Sequence, residues 1–113
     1  MAYEPGTVVR VPFPFVDSGT TKHRPALVLS AKKYNSTHGH SIMAMITSAK
    51  HSRWPSDVDI HDLVGTGLSS PSIVRFKLFT LDNRLVANPV GKFAGEDWKA
   101  VLKVLSGILP TLI

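Results

Sequence analysis

Polar and apolar residues alternate through the first two-thirds of the chain, the spacing that sends successive side chains to opposite faces of a strand. Residues 6–13 read as a first strand, with Pro12 and the nearby Pro14 restricting it to a sheet edge or a strand end. A polar loop follows over residues 16–22, turning at Ser18-Gly19. Residues 23–30 carry a continuous apolar run, the mark of a strand buried on both faces. Residues 31–39 read as a polar, basic loop, residues 40–48 as a third strand, and residues 49–56 as a second basic loop carrying Trp54 and Pro55. Residues 57–61 alternate like a half-buried strand, and residues 65–71 are rich in turn formers.

Residues 72–82 form the longest alternating run. Ile73, Arg75, Lys77 and Phe79 fall on one face, with Val74, Phe76, Leu78 and Thr80 on the other. Two cations on an apolar face need partners, because an unpaired buried charge is costly. Asp57, Asp59 and Asp82 are the candidate partners. After Gly95-Glu96-Asp97 the period changes to a helical one, through Trp98, Val101, Leu102, Leu105, Ile108 and Leu109. Acids at its start suit a helix N-terminus. Short strands followed by one amphipathic helix predict a mainly β fold: a small, strongly bent sheet or barrel capped by a C-terminal helix.

Composition narrows this further. The chain has 113 residues with no internal repeat, which suits one domain over residues 1–113. It contains no cysteine, which excludes disulfides, thiolate catalysis and Cys-ligated metals, and is compatible with a reducing cytoplasm. No basic segment leads into an apolar run at the N-terminus, so no signal peptide is expected. The longest uncharged apolar stretch, residues 104–113, is too short to span a bilayer, and no membrane role is expected.

The net charge is +5, and its distribution matters more than its size. Between Asp17 and Asp57 there is no acidic residue, while Lys22, Arg24, Lys32, Lys33, Lys50 and Arg53 give the interval +6. His23, His38, His40 and His51 lie in the same interval. Such a segment is an electrostatic footprint for nucleic acid or an acidic protein. Nucleotide-binding glycine loops and a Gly-x-Ser-x-Gly elbow are absent. His38-x-His40 has no carboxylate near it in sequence, so no metal site and no cofactor are expected.

Three blocks are more specific. The first is Gly6-x-Val-Val-x-Val-Pro-Phe-Pro-Phe15 with Lys22-His-Arg-Pro-Ala-Leu-Val-Leu-Ser30; the second is Met45-Ile-Thr-Ser48. The third is Gly67-Leu-x-x-Pro-Ser-x-Val-Arg75-x-Lys-x-x-Thr-Leu-Asp82. In order and spacing they resemble the MazF/PemK family, the toxin half of type II toxin–antitoxin pairs, from about Gly6 to Leu105. The resemblance implies an SH3-like barrel of about five to seven strands with a C-terminal helix, and a homodimer. It also implies metal-independent cleavage of single-stranded RNA, which inhibits translation, and a cognate acidic antitoxin. CcdB-type toxins share this fold but poison gyrase by binding, and a barrel that binds nucleic acid without cutting it is a further alternative.

Metal-free RNA cleavage uses the substrate's own 2′-hydroxyl and leaves a 2′,3′-cyclic phosphate. The protein must then accept a proton from the 2′-oxygen, supply one to the 5′-oxygen and stabilise the charged phosphorane. Arg24, Arg75 and Lys77 are candidates for the phosphate, with Thr47 as a neutral donor. The resemblance implies catalytic roles for Arg24 and Thr47, and matches Arg75 to an arginine used by PemK-like members. Those members have an aspartate two residues further on as proton acceptor; here that position is Lys77, and His23 is the replacement candidate. Lys22, Ser48, Lys50, Arg53 and Lys77 are candidate substrate contacts. Trp54 is placed either to stack on a base or to form an interface.

Overall fold

The computed structural model describes residues 2–12 and 22–110. Its strands are β1 (Thr7–Pro12), β2 (His23–Val28), β3 (His40–Ser48), β4 (Val58–Asp59), β5 (Ser72–Asp82) and β6 (Asn88–Lys92). Its helices are α1 (Lys32–His38), α2 (Leu63–Thr66) and α3 (Gly95–Ile108), with a single 3₁₀ turn at Asn83–Leu85. The strands form one sheet in the order β4-β5-β3-β2-β1-β6, every neighbouring pair antiparallel. The expected loop over residues 16–22 lies outside the described residues except for Lys22.

The sheet curls because β5 is longer than its partner. Met43 pairs with Phe79 and Met45 with Arg75, so three residues of β5 stand opposite Ala44 alone. Extra residues in one strand bend it and increase its twist. The result is a half-barrel with apolar side chains on both faces. Val8, Leu27, Ala44, Ile46 and Val74 meet Phe93 and Val101 on one face. Val9, Val11, Ala26, Val28, Met43, Phe79 and Leu81 pack on the other. Residues 26–28 are therefore buried on both sides, as their unbroken apolar run predicts.

The open side is closed by backbone contact rather than strand pairing. Gly67 has φ +75°, and a Cβ there would lie 2.0 Å from the Val90 carbonyl oxygen. A Cβ on Gly91 would lie 2.2 Å from Thr66. Only glycine permits α2 to meet β6 this closely. α3 then packs across the first face through Trp98, Ala100, Val101 and Val104. Asp97, 4% exposed, pins the start of α3: its carboxylate accepts from the His61 and Asp62 amides at 2.9–3.2 Å.

Several sequence expectations need correction. Residues 31–39 are not a loop but hold α1, whose one buried residue, Asn35, leaves no apolar stripe to detect. Asn35 donates to the carbonyls of Tyr3 and Ser30, a polar anchor where periodicity looks for an apolar one. The strand expected over residues 57–61 shrinks to Val58–Asp59. β6 contains Pro89 and Gly91, residues that weaken strand propensity, and was not foreseen. In α3 the stripe is offset, leaving Leu102, Ile108 and Leu109 exposed. None of the helices among the described residues is long and apolar enough to cross a membrane.

Candidate active site

The face of β5 that carries two cations finds its partner in the preceding loop. Arg75, 7% exposed, donates from Nη2 to Asp57 Oδ2 at 2.9 Å and from Nε to Asp57 Oδ1 at 3.3 Å. Nη2 also donates to the Ser52 carbonyl at 2.6 Å. The Trp54 ring lies over the guanidinium, 4.7 Å away, and its amide donates to Asp57 Oδ2 at 2.8 Å. Lys77 Nζ stands 5.9 Å from the same ring. Burial works to raise the Asp57 pKa, but hydrogen bonds from Arg75 and the Trp54 amide outweigh it and hold the carboxyl below its ordinary range. Arg75 thus ties residues 52–57 to the sheet, and its fork faces a carboxylate already in place.

That tie fixes the loop between β3 and β4 over one end of the sheet. Pro55 followed by Ser56 at φ 73° gives the pattern of a type II turn, and it returns the chain from Trp54 to Asp57. At the loop's start, the His51 amide donates to the Ser48 carbonyl at 3.2 Å and turns the chain back over β3. His51 Nδ1 then lies 3.0 Å from Thr47 Oγ1. Ala26 pairs with Met45, and continuing that register brings Arg24 opposite Thr47. Arg24, Pro25, Met45, Ile46, Thr47, His51 and Arg75 line a single cleft of about 280 Å³.

The two arginines in this cleft differ in state. Arg75 is occupied by Asp57, Ser52 and Trp54. Arg24 is exposed, and among the described residues its side chain has no hydrogen-bond or ion-pair partner. An exposed guanidinium beside a hydroxyl is a ready donor set for an anion.

Of the residues singled out from the sequence, Arg24, Thr47 and Arg75 are brought together. His23 is not among the residues lining the cleft, and strand alternation sends it to the face opposite Arg24. Ser48 accepts the Lys50 amide at the rim, and Arg53 pairs with Asp59 at 2.7 Å. Lys22 and Lys50 are exposed near the same end. The sequence reading missed His51 as a site residue. Its signal was the four-residue step from Thr47 across a strand end, where a turn returns the chain to its starting side.

The acid-free segment is divided by the topology. β2 runs away from Arg24 and β3 runs back to Thr47, so α1 with Lys32 and Lys33 sits at the far end of the strands. Six strand residues at about 3.4 Å each put those lysines roughly 20 Å from the cleft. Among the described residues, no group of three His, Asp or Glu stands close enough to hold a metal ion.

An antiparallel half-barrel with a capping helix and a cationic end-cleft defines the class, and comparison with known proteins gives the family. Residues 4–109 match the family described as PemK-like, MazF-like toxin of type II toxin–antitoxin systems. The chain belongs to that family. No curated protein matches it in sequence. Its fold is similar to that of Deinococcus radiodurans MazF in a MazE–MazF crystal structure, with TM-score 0.75, 23% identity and 99% of each chain covered. It is also similar to an endoribonuclease in complex with its cognate antitoxin from a mycobacterial species, with TM-score 0.72, 15% identity and 98% of each chain covered. A third similar structure is Mycobacterium tuberculosis toxin MazF-mt6, with TM-score 0.70 and 18% identity over 89% of this chain and 93% of that one.

Proposed function

We propose that this chain is a metal-independent endoribonuclease of a toxin–antitoxin pair, cutting single-stranded RNA by attack of the 2′-hydroxyl on the adjacent phosphate. The observation that carries this reading is the convergence of Arg24, unpaired among the described residues, with Thr47 in one cleft. Arg24 donates to the phosphate oxygens through its planar fork and stabilises the phosphorane, where charge accumulates. Thr47 adds a neutral donor to the same oxygens. Arg75 acts at one remove: it holds residues 52–57 and so the shape of the cleft. Lys22 and Lys50 steer the RNA backbone by charge.

Family membership supports the partners: a second copy of the chain, and an acidic antitoxin that occupies the cationic cleft until it is removed. The site of action that fits an mRNA substrate is the cytoplasm.

The test is incubation of the purified protein with single-stranded RNA in EDTA beside an Arg24→Ala variant. Wild type should leave 2′,3′-cyclic phosphate ends, and the variant should lose about 10²–10³-fold in rate, the cost of removing one transition-state donor. Binding without cleavage, or DNA breaks that depend on gyrase, would overturn the reading.

A further inference from the structure

We propose that His51 is the group that takes the proton from the attacking 2′-hydroxyl. The inference rests on the endoribonuclease reading and names the base which that reading leaves open. Lys77 occupies the position where the resemblance led one to expect an acidic proton acceptor, and its ammonium carries donors only. His23, the alternative from the sequence, belongs to the other side of β2 by strand alternation. His51 is the one imidazole in the cleft that Arg24 and Thr47 line.

The contact between Thr47 and His51 determines which ring nitrogen is available. A hydroxyl has one proton to give and two lone pairs to accept with. If Thr47 gave its proton to Nδ1, 3.0 Å away, it would have none for a phosphate oxygen. With Nδ1–H as donor, Thr47 Oγ1 accepts it and its own proton is free for the phosphate. The same choice leaves Nε2 unprotonated, with its lone pair directed away from Thr47. One tautomer therefore serves both residues, and the other disables both.

In the proposed step, the proton of the 2′-hydroxyl passes to His51 Nε2 as the 2′-oxygen forms its bond to phosphorus. The P–O5′ bond breaks, and the 5′-oxygen takes a proton from water in the open cleft. The imidazolium then returns its proton to the hydroxide left behind, so the enzyme and the solvent are unchanged. Among the described residues, the charged groups near His51 are Arg24 from β2, Arg75 with its partner Asp57, and, on its own loop, Lys50 and Arg53 with its partner Asp59. Thr47 is not the nucleophile in this scheme. The neighbouring 2′-hydroxyl is intramolecular, an advantage equivalent to about 10⁵–10⁸ M when well oriented.

The proposal is tested with His51→Gln and His51→Ala, assayed on single-stranded RNA in EDTA from pH 5 to 9. Binding is measured separately on a 2′-deoxy oligonucleotide, which cannot react. Wild-type rates should rise with pH, as a step that needs an unprotonated base requires. Both variants should lose about 10²–10⁴-fold in kcat and lose that rise, while binding the 2′-deoxy oligonucleotide within twofold of wild type. His51 is exposed, so neither substitution disturbs a buried contact. Variants that cleave within threefold of wild type with an unchanged pH profile would overturn the assignment, as would loss of cleavage matched by equal loss of binding. A wild-type protein that cleaves no RNA would instead overturn the endoribonuclease reading beneath it.

Discussion

Arg24 and Arg75 lie in one cleft, and their surroundings give them different work. Arg75 is closed in by Asp57, the Ser52 carbonyl and the Trp54 ring, whereas Arg24 is exposed and uncommitted among the described residues. Truncating Arg75 to Ala strands the Asp57 carboxylate, whose side chain is 1% exposed. Removing one partner from a buried ion pair costs about 3–5 kcal/mol. Arg75→Ala should therefore lower the unfolding free energy by that order, read by denaturant titration, while Arg24→Ala should leave it nearly unchanged. The pair also sets an acid limit. Asp57 is held below its ordinary value, so its stabilisation is complete above about pH 4 and is lost as pH falls through the depressed pKa. Trp54 fluorescence should report the loop loosening below pH 4 in wild type, and this transition should be missing from Asp57→Asn. The sequence showed that Arg75 needed a carboxylate and offered three. It did not select Asp57, because that choice depends on how the turn at Pro55-Ser56 directs the chain.

At the level of elements, legibility followed apolar periodicity. β3 and β5 have the expected bounds, His40–Ser48 and Ser72–Asp82, and α3 begins at Gly95 as its acidic first turn indicated. α1 was missed because it is held by the hydrogen bonds of Asn35, and amphipathic patterning does not register a buried amide. The start of α3 works in the same polar way. Asp97 satisfies the amides of two residues in the turn before α2, and Ala at this position would leave both without an acceptor. Asp97→Ala should destabilise the fold by about 1–3 kcal/mol, and Asp97→Asn, which keeps one acceptor oxygen, by less. Thermal unfolding of the two variants side by side checks the order.

Across the whole molecule, the fold determines which part of the +5 charge reaches the cleft. The sequence placed all six cations of the acid-free segment in one footprint. β2 and β3 carry Lys32 and Lys33 to the end opposite Arg24, and Arg53 is neutralised by Asp59. Affinity for single-stranded RNA should fall steeply with salt, and Lys50→Ala should weaken binding and flatten the salt slope by about 0.7. The Lys32→Ala/Lys33→Ala double variant should bind and cleave as wild type does, although it removes twice the charge. Filter binding across a salt series separates the two.

The sheet order has a consequence for the moment at which the protein is made. β1 is synthesised before every other strand of the sheet, yet its outer partner is β6: Thr7 pairs with Lys92, and the Phe93 amide donates to the Gly6 carbonyl. The Leu27 and Ile46 face likewise waits for Val101 on α3 to cover it. A nascent chain that ends before these segments holds Arg24 and Thr47 on strands, and His51 on the loop after β3, in a sheet whose edge and one face are still bare. Cleft assembly thereby waits for β6 and α3, which are made long after Arg24, Thr47 and His51 have left the ribosome.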